Sequence, residues 1–159
     1  MTSPYGEAMQ LAVHEARLAP EHDDVPVGAV LLASDGAVLS RAHNEREGSG
    51  DPTAHAEVLA IRRAAEITGS WRLEGCTLVV TLEPCTMCAG AIVLARLARV
   101  VYGAVDPKAG AVGSLWDVLR DRRLNHRPEV VSGVEDAACG ALLTDFFESR
   151  RQTERTTLS

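Results

Sequence analysis

The sequence predicts an α/β fold in which helices cover both faces of one mixed, five-stranded sheet. Short apolar segments typical of strands alternate along the chain with longer segments whose apolar residues recur every three or four positions, as in helices. The first two strands form a hairpin, whereas two later strands are separated by a helix, so the sheet is not purely parallel. The length of 159 residues suits a single domain, which we place at residues 1–152.

The first part of the chain is predicted to form a helix followed by a hairpin. Apolar residues recur at helical spacing over residues 5–19, and Pro20 ends this helix. Two apolar segments, 27–33 and 37–43, flank Ser-Asp-Gly at residues 34–36. Two strands joined by a short Asp-Gly turn are typical of an antiparallel hairpin.

The middle of the chain is predicted to alternate between loop, helix and strand. A glycine-containing polar segment at residues 45–51 indicates a surface loop. Thr53 is expected to cap a helix that ends at Gly69. Residues 77–82 have the composition of a buried strand, and the following helix, over residues 86–97, is apolar on most sides. We therefore expect this last helix to lie centrally.

The final part of the chain is predicted to complete the sheet and to close it with a helix. Residues 100–105 indicate a strand, residues 115–119 a short helix, and residues 130–131 the centre of a short edge strand. Residues 135–150 form an amphipathic pattern typical of a surface helix. The polar tail, 153–159, is expected to fray.

Composition and charge exclude several classes of protein. Hydrophobic residues make up 46% of the chain and charged residues 24%, as in ordinary globular domains rather than disordered or collagen-like chains. The longest apolar runs, 27–33 and 89–95, are far shorter than the roughly 20 residues of a membrane-spanning helix. The first residues lack the pattern of a secretory signal, so we expect a cytoplasmic protein without membrane contact. A net charge of −6 is not typical of non-specific nucleic-acid binders.

Two short motifs stand out as candidates for chemistry: H-A-E at residues 55–57 and P-C-T-M-C at residues 84–88, each at the start of a predicted helix. The imidazole of His55 and the thiolates of Cys85 and Cys88 are ligands that zinc prefers. Three protein ligands leave a fourth position for water, as in catalytic zinc sites. Thiols in the first turn of a helix also ionise readily.

Glu57 is expected to carry protons rather than to bind the metal, since residues two apart on a helix do not share a face. Two thiolates neutralise a divalent ion, so a nearby base is needed to take a proton from water. Taken singly, the motifs have other interpretations: an ordinary histidine, and a cysteine pair that forms a structural half-site or a redox dithiol. Cys76 and Cys139 are expected to be buried apolar side chains.

The combination of H-x-E with P-C-x-x-C is the signature of zinc nucleobase deaminases. Over residues 5–152 the chain resembles, more closely, the bacterial tRNA-specific adenosine deaminases of the TadA family. The matching segments occur in order along the chain: 25–31 (VPVGAVL), 43–44 (HN), 51–57 (DPTAHAE), 80–90 (VTLEPCTMCAG), 99–104 (RVVYGA), 113–115 (GSL), 125–127 (NHR) and 145–147 (DFF).

This resemblance implies a cytidine-deaminase-like fold with three α-β-α layers, and a homodimer with one Zn²⁺ per subunit. The implied reaction is hydrolytic conversion of the wobble adenosine in a tRNA anticodon stem-loop to inosine, with release of ammonia. Carried over by position, the family pattern assigns His55, Cys85 and Cys88 to zinc. It assigns Glu57 to proton transfer between water and the purine.

The resemblance also implies four contacts with the RNA. Asn44 is expected to bind the flipped purine, Ala56 to contact it, Asp106 to lie near the backbone of that nucleotide, and Phe147 to stack on the RNA. Other interpretations stay open: an Asx turn for Asn44, a simple loop-tip residue for Asp106, and a partly buried position for Phe147 and its neighbour.

Three functions are therefore compared. The first is the tRNA adenosine deaminase. The second is a deaminase of free guanine, cytosine or a nucleoside, because the same zinc core would serve it; the loop at residues 106–110 and the final helix would decide between the two. The third is a zinc-stabilised RNA-binding module without turnover, in which Glu57 only caps its helix.

The final helix departs from the family pattern in its charge. It carries Glu148 and Ser149 where the family is more basic, which predicts fewer phosphate contacts.

Overall fold

Five strands form a single sheet in the computed structural model, which describes residues 3–158. They are β1 (Gly28–Leu32), β2 (Val38–His43), β3 (Thr77–Leu82), β4 (Arg99–Ala104) and β5 (Glu129–Val131). Their order across the sheet is β2-β1-β3-β4-β5. β1 pairs antiparallel with β2 and β3, whereas β4 pairs parallel with β3 and β5. The predicted mixed, five-stranded sheet is confirmed.

Helices cover both faces of this sheet. They are α1 (Gly6–Ala16), α2 (Arg46–Ser49), α3 (Ala56–Thr68), α4 (Thr86–Leu94) and α5 (Asp136–Leu158). Successive residues of β1 point to opposite faces, so Leu31 packs with α3 and α4 whereas Val30 packs with α1 and α5. The predicted three α-β-α layers are confirmed.

Two glycines allow α1 and α5, which cover the same face of the sheet, to lie very close to it. A Cβ atom on Gly28 in β1 would overlap the backbone of Ala12 and Ala16 in α1. A Cβ atom on Gly103 in β4 would overlap the side chain of Cys139 in α5. Both α1 and α5 therefore depend on positions in the sheet that carry no side chain.

The start of the second long helix differs from the sequence prediction. Residues 45–51, expected to be a loop, contain the short helix α2. Thr53 does not cap α3: its backbone N–H and hydroxyl both donate to Asp51, and the residue at the N-cap is His55. Gly69 ends α3 as predicted, in a left-handed conformation with φ of 70°.

Three other elements also differ from their predicted bounds. The first helix, expected over residues 5–19 and to end at Pro20, ends at Ala16, and Pro20 lies in a 3₁₀ turn at Ala19–His22. The helix expected over residues 86–97 ends at Leu94, because Arg96 adopts a left-handed conformation with φ of 61°. The helix expected over residues 115–119 is instead a 3₁₀ turn at Val118–Arg120, preceded by a bridge between Val112 and Asp117.

The last helix, α5, is longer than predicted and continues to Leu158. Residues 153–158, expected to fray, are helical, and Ser159 lies outside the described residues. Hydroxyl groups in this segment donate to carbonyl oxygens four residues earlier, as from Thr153 to Ser149 at 3.1 Å. Among residues 3–158, no helix has the length and apolar character needed to span a membrane.

Candidate active site

The N-termini of α3 and α4 meet at one edge of the sheet and bring the two sequence motifs together. His55 occupies the N-cap of α3 and Cys85 the N-cap of α4, both with extended backbone. Cys88 follows in the first turn of α4 and is fully buried. The positions of both N-cap side chains are therefore fixed by the first turns of two helices that pack in the core.

The ligand atoms of His55, Cys85 and Cys88 lie within 4.8 Å of one another. His55 Nδ1 is 3.6 Å from Cys85 Sγ and 3.5 Å from Cys88 Sγ. Zinc bonds of about 2.3 Å to sulfur and about 2.0–2.1 Å to nitrogen, at a tetrahedral angle, place the two atoms roughly 3.6 Å apart. The cluster thus fits a tetrahedral zinc ion. Within residues 3–158, no fourth histidine, cysteine or acidic residue joins it.

The two thiols of this cluster differ in their acidity. The pKa of Cys85 is lowered to about 3, first because the Cys88 thiol donates to it and further because of His55. The same hydrogen bond, together with burial, raises the pKa of Cys88. The hydrogen bond to Cys85 also raises the pKa of His55. Cys85 is therefore a thiolate, and a bound cation would displace the remaining proton from Cys88.

Glu57 lies beside the cluster but outside it. Its side chain is buried, and burial raises the pKa of its carboxyl group. A hydrogen bond from its own backbone N–H and, next in size, the charge of His55 oppose this effect without cancelling it. A buried carboxyl group with a raised pKa, beside the candidate metal ligands, is suited to accept a proton and to return it.

A cavity of about 140 Å³ opens next to these groups. Its lining includes His55, Cys85 and Glu57, together with Asn44 and Asp106 from two different loops. The structure thus brings five of the predicted site residues to one place, and Cys88 lies directly behind them. The roles expected for Asn44 and Asp106 in substrate binding stay predictions.

Asn44 is buried and joins the end of β2 to the start of α3. Its Oδ1 accepts a hydrogen bond from the backbone N–H of Ala56 at 2.9 Å, and its Nδ2 donates to the carbonyl oxygen of Val25 at 3.1 Å. These bonds span 12 and 19 residues. The Asx-turn interpretation is therefore wrong. One N–H of the side-chain amide remains available to the cavity.

The other two expected substrate contacts do not line the cavity. Ala56 is fully buried and its N–H is already bonded to Asn44, so a contact between Ala56 and substrate stays a prediction. Phe147 is 46% exposed on α5 and packs edge to face on Phe146, with 5.4 Å between ring centroids. Nearly half of its surface therefore stays accessible to solvent.

Glu83 is a residue of the site that sequence reasoning missed. It lines the cavity, is 2% exposed, and accepts hydrogen bonds from the backbone N–H groups of Asp106, Val112 and Ser114, each at 3.0 Å. The Ser114 hydroxyl also donates to it. Burial alone would raise the pKa of Glu83, but these hydrogen bonds lower it overall. The only signal in the sequence was its place just before Pro84.

Comparison with known proteins identifies the family to which this site belongs. The family described as the cytidine and deoxycytidylate deaminase zinc-binding region matches residues 3–104. The chain belongs to this deaminase family. The match includes every member of the metal cluster and Glu57.

The chain is similar to deaminases that act on two different substrates. It is 50% identical over 147 residues to the tRNA-specific adenosine deaminase of Bacillus subtilis, covering 92% of this chain and 91% of that protein. A solved structure from work on A-to-I editing by tRNA:A34 deaminases at the wobble position is 49% identical, with a TM-score of 0.82, over 85% of this chain and 97% of that one. A guanine deaminase structure from Bacillus subtilis is 37% identical, with a TM-score of 0.62, over 74% of each chain.

Proposed function

We propose that this deaminase converts the wobble adenosine of a tRNA anticodon to inosine by zinc-dependent hydrolysis and releases ammonia. The observation that carries the proposal is the pairing of a three-ligand cluster with a buried, protonatable Glu57 at a small open cavity. The substrate follows from the relatives, since half of the aligned residues are identical to those of a tRNA-specific adenosine deaminase.

His55, Cys85 and Cys88 would hold one Zn²⁺ per subunit. Zinc would act there as a Lewis acid that activates water and stabilises the negative charge of the transition state. Because the two thiolates neutralise the charge of the ion, activation of water depends more strongly on a neighbouring base. This dependence explains why a carboxyl group with a raised pKa lies beside the cluster rather than in it.

Glu57 carries the proton transfers in this mechanism. In the overall reaction the bond between purine C6 and its amino nitrogen breaks, a C6–oxygen bond forms with water, and the departing nitrogen leaves as ammonia. Glu57 accepts a proton from the attacking water and delivers it to purine N1, and then assists protonation of the amino group. Its burial raises its pKa and so favours the protonated form, which returns the proton to the substrate.

The cavity suits one base rather than a whole nucleotide. Its volume of about 140 Å³ is below the roughly 300–1,000 Å³ of typical small-molecule pockets. A base that leaves its stack in an RNA loop would enter the cavity, while its sugar and phosphates would stay outside. Asn44 would then donate its remaining N–H to the purine ring.

Positive charge near the cavity favours a polynucleotide over a free base. Arg46, at the start of α2, is exposed and lines the cavity, and Lys108 is exposed in the loop that carries Asp106. Neither side chain forms an ion pair with another described residue, so both can approach phosphate groups. A free base would gain nothing from these two charges.

Inosine formation on an anticodon stem-loop tests the proposal. We expect the zinc-loaded protein to form inosine, and Glu57→Gln to lower kcat by about 10²–10⁴-fold while keeping its zinc. Glu66→Gln is the matched control, since Glu66 is exposed on the same helix. Unchanged turnover by Glu57→Gln would exclude the assigned role, and a zinc-loaded protein without turnover would favour the RNA-binding module.

Guanine deamination is the second candidate, because a guanine deaminase shares the fold at 37% identity. Parallel assays with free guanine, cytosine and adenosine separate the two functions. We expect the stem-loop to be deaminated and the free compounds to react far more slowly. Faster turnover of guanine than of the stem-loop would replace the proposed substrate.

We also infer that the chain forms one domain, which extends past the predicted boundary at residue 152 because α5 continues to Leu158. We infer further that two copies associate through an apolar groove on α3 and α4. Ile61, Trp71 and Leu94 line this groove, and the last two are 59% and 70% exposed. Such exposed apolar surface is typical of an interface. We expect the unsubstituted protein to be a dimer in sedimentation equilibrium and the Leu94→Asp variant to be a monomer. A monomeric unsubstituted protein would exclude this interface.

A tRNA substrate and free thiols also favour action in the cytoplasm.

A further inference from the structure

Glu83 connects the P-C-T-M-C motif to a loop that contributes Asp106 and Ala109 to the lining of the cavity. The connected segment, residues 106–114, is called here the 106–114 loop. Four donors of this loop reach the carboxylate: three backbone N–H groups and the hydroxyl of Ser114. The backbone N–H of Ala111 also donates to the carbonyl oxygen of Pro84 at 2.8 Å. The loop is thus tied to the two residues that precede Cys85.

Gly110 shows how tightly the loop closes around this carboxylate. A Cβ atom at Gly110 would overlap the carboxyl group of Glu83 and the carbonyl oxygen of Asp106. That carbonyl oxygen accepts a hydrogen bond from the Gly110 N–H at 2.8 Å. The loop therefore has no freedom to accept a larger residue here without moving away from Glu83.

The same carboxylate controls where Asp106 lies. One Oε atom of Glu83 accepts from the Asp106 backbone N–H at 3.0 Å, while the Asp106 side chain accepts from the N–H groups of Lys108 and Ala109. Asp106 lines the cavity beside Cys85. A change at Glu83 should therefore reach the substrate through Asp106 rather than through the metal ligands.

We propose that Glu83 is a positioning residue that holds the 106–114 loop against the start of α4 and so places Asp106 for substrate binding. This proposal rests on the proposed function, because the substrate is the anticodon loop. The Glu83 carboxylate fixes one position of the loop because charge-assisted hydrogen bonds have a defined geometry. Because the carboxylate is buried, water cannot replace the donors of the loop.

Steady-state kinetics on the anticodon stem-loop test this role. We expect Glu83→Gln to raise KM by about tenfold, as for the loss of one charge-assisted hydrogen bond, with a much smaller change in kcat and an unchanged zinc content. In an Asp106→Ala background the same substitution should leave KM nearly unchanged, because the residue through which it acts is gone. Glu74→Gln, at an exposed ion pair with Arg72, is the matched control.

Two results would overturn the proposal. Loss of zinc from Glu83→Gln would show that the residue supports the metal site instead. An undiminished increase of KM in the Asp106→Ala background would show that it does not act through Asp106. If Glu83→Gln fails to fold, Ser114→Ala removes a single donor and should raise KM in the same direction; an unchanged KM would count against the proposal.

Amide hydrogen exchange separates this proposal from the proposed function, since it needs no substrate. We expect Glu83→Gln to accelerate exchange at the backbone N–H groups of Asp106, Val112 and Ser114 and to leave β4 unchanged. Absence of inosine formation by the unsubstituted protein would contradict the function but not this tether. Unchanged exchange in the loop would contradict the tether even if inosine forms.

Discussion

Asn44 Oδ1 accepts the backbone N–H of Ala56 at 2.9 Å and thereby joins the end of β2 to the first turn of α3. The first N–H groups of a helix have no partner within the helix, and here one of them is satisfied by a side chain 12 residues earlier in the chain. His55 and Glu57 lie on either side of that bond. Their orientation therefore depends on Asn44 even before any substrate is bound.

Substitution of Asn44 should lower both stability and turnover. Asn44→Ala removes both hydrogen bonds and leaves buried groups unpaired, so we expect the free energy of unfolding to fall by about 2–3 kcal/mol. Asn44→Asp keeps an acceptor for Ala56 but turns a buried carboxylate oxygen toward the Val25 carbonyl oxygen, so we expect a comparable loss of stability and an equally large loss of turnover. Urea denaturation and inosine formation measure the two effects. Normal turnover by Asn44→Asp would contradict a role in binding the purine.

Patterns of neighbouring residues predicted the hairpin, the third strand and the end of α3. The hairpin of β1 and β2 and the bounds of β3 follow from alternating or continuous apolar residues and from the Asp-Gly turn. The left-handed Gly69 at the end of α3 follows from the ease with which glycine adopts that conformation. The metal cluster was instead predicted from its ligand types and from the combination of H-x-E with P-C-x-x-C, since two helix starts alone do not imply that they meet.

Long-range contacts account for what the sequence did not predict. Thr53 has the composition of a helix cap, but it bonds to Asp51, and Asn44 supplies the bond at α3 from a distant strand. Glu83 likewise finds its partners more than 20 residues away. No local pattern encodes such pairings, since they depend on which loops the sheet order brings together.

Removal of the metal should lower both activity and stability. A ligand that binds only the folded protein stabilises it, by about 2.7 kcal/mol when its free concentration is 100 times its Kd. We therefore expect a chelator to abolish inosine formation and to lower the Tm, and added Zn²⁺ to restore both. Cys85→Ser should lose the metal, whereas Cys76→Ala should keep one zinc per chain, since the Cys76 thiol lies outside the cluster. An active, metal-free protein would contradict the zinc mechanism.

Phe147 is expected to act in RNA binding more than in folding. Its ring is 46% exposed, and stacking of a base on an aromatic ring contributes about 1–3 kcal/mol. Phe147→Ala should therefore weaken binding of the stem-loop by roughly 5–150-fold, with little change in the free energy of unfolding. Thr144→Ala, at an exposed position of the same helix, is the control. A large loss of stability with unchanged RNA affinity would instead support the interpretation of Phe147 as partly core.

Gly28 and Gly140 should respond in opposite directions to the same added methyl group. At Gly28 the new Cβ would overlap backbone atoms of α1, which cannot rotate away, so α1 must shift from the sheet. We expect Gly28→Ala to lower the free energy of unfolding by about 3 kcal/mol, at the upper end of ordinary overpacking. At Gly140, within α5, an added Cβ meets no atom within 4 Å. Because alanine favours helix over glycine, Gly140→Ala should raise stability by about 0.5–1 kcal/mol. Urea denaturation of both variants tests the close packing of α1 on β1, and equal stabilities would contradict it.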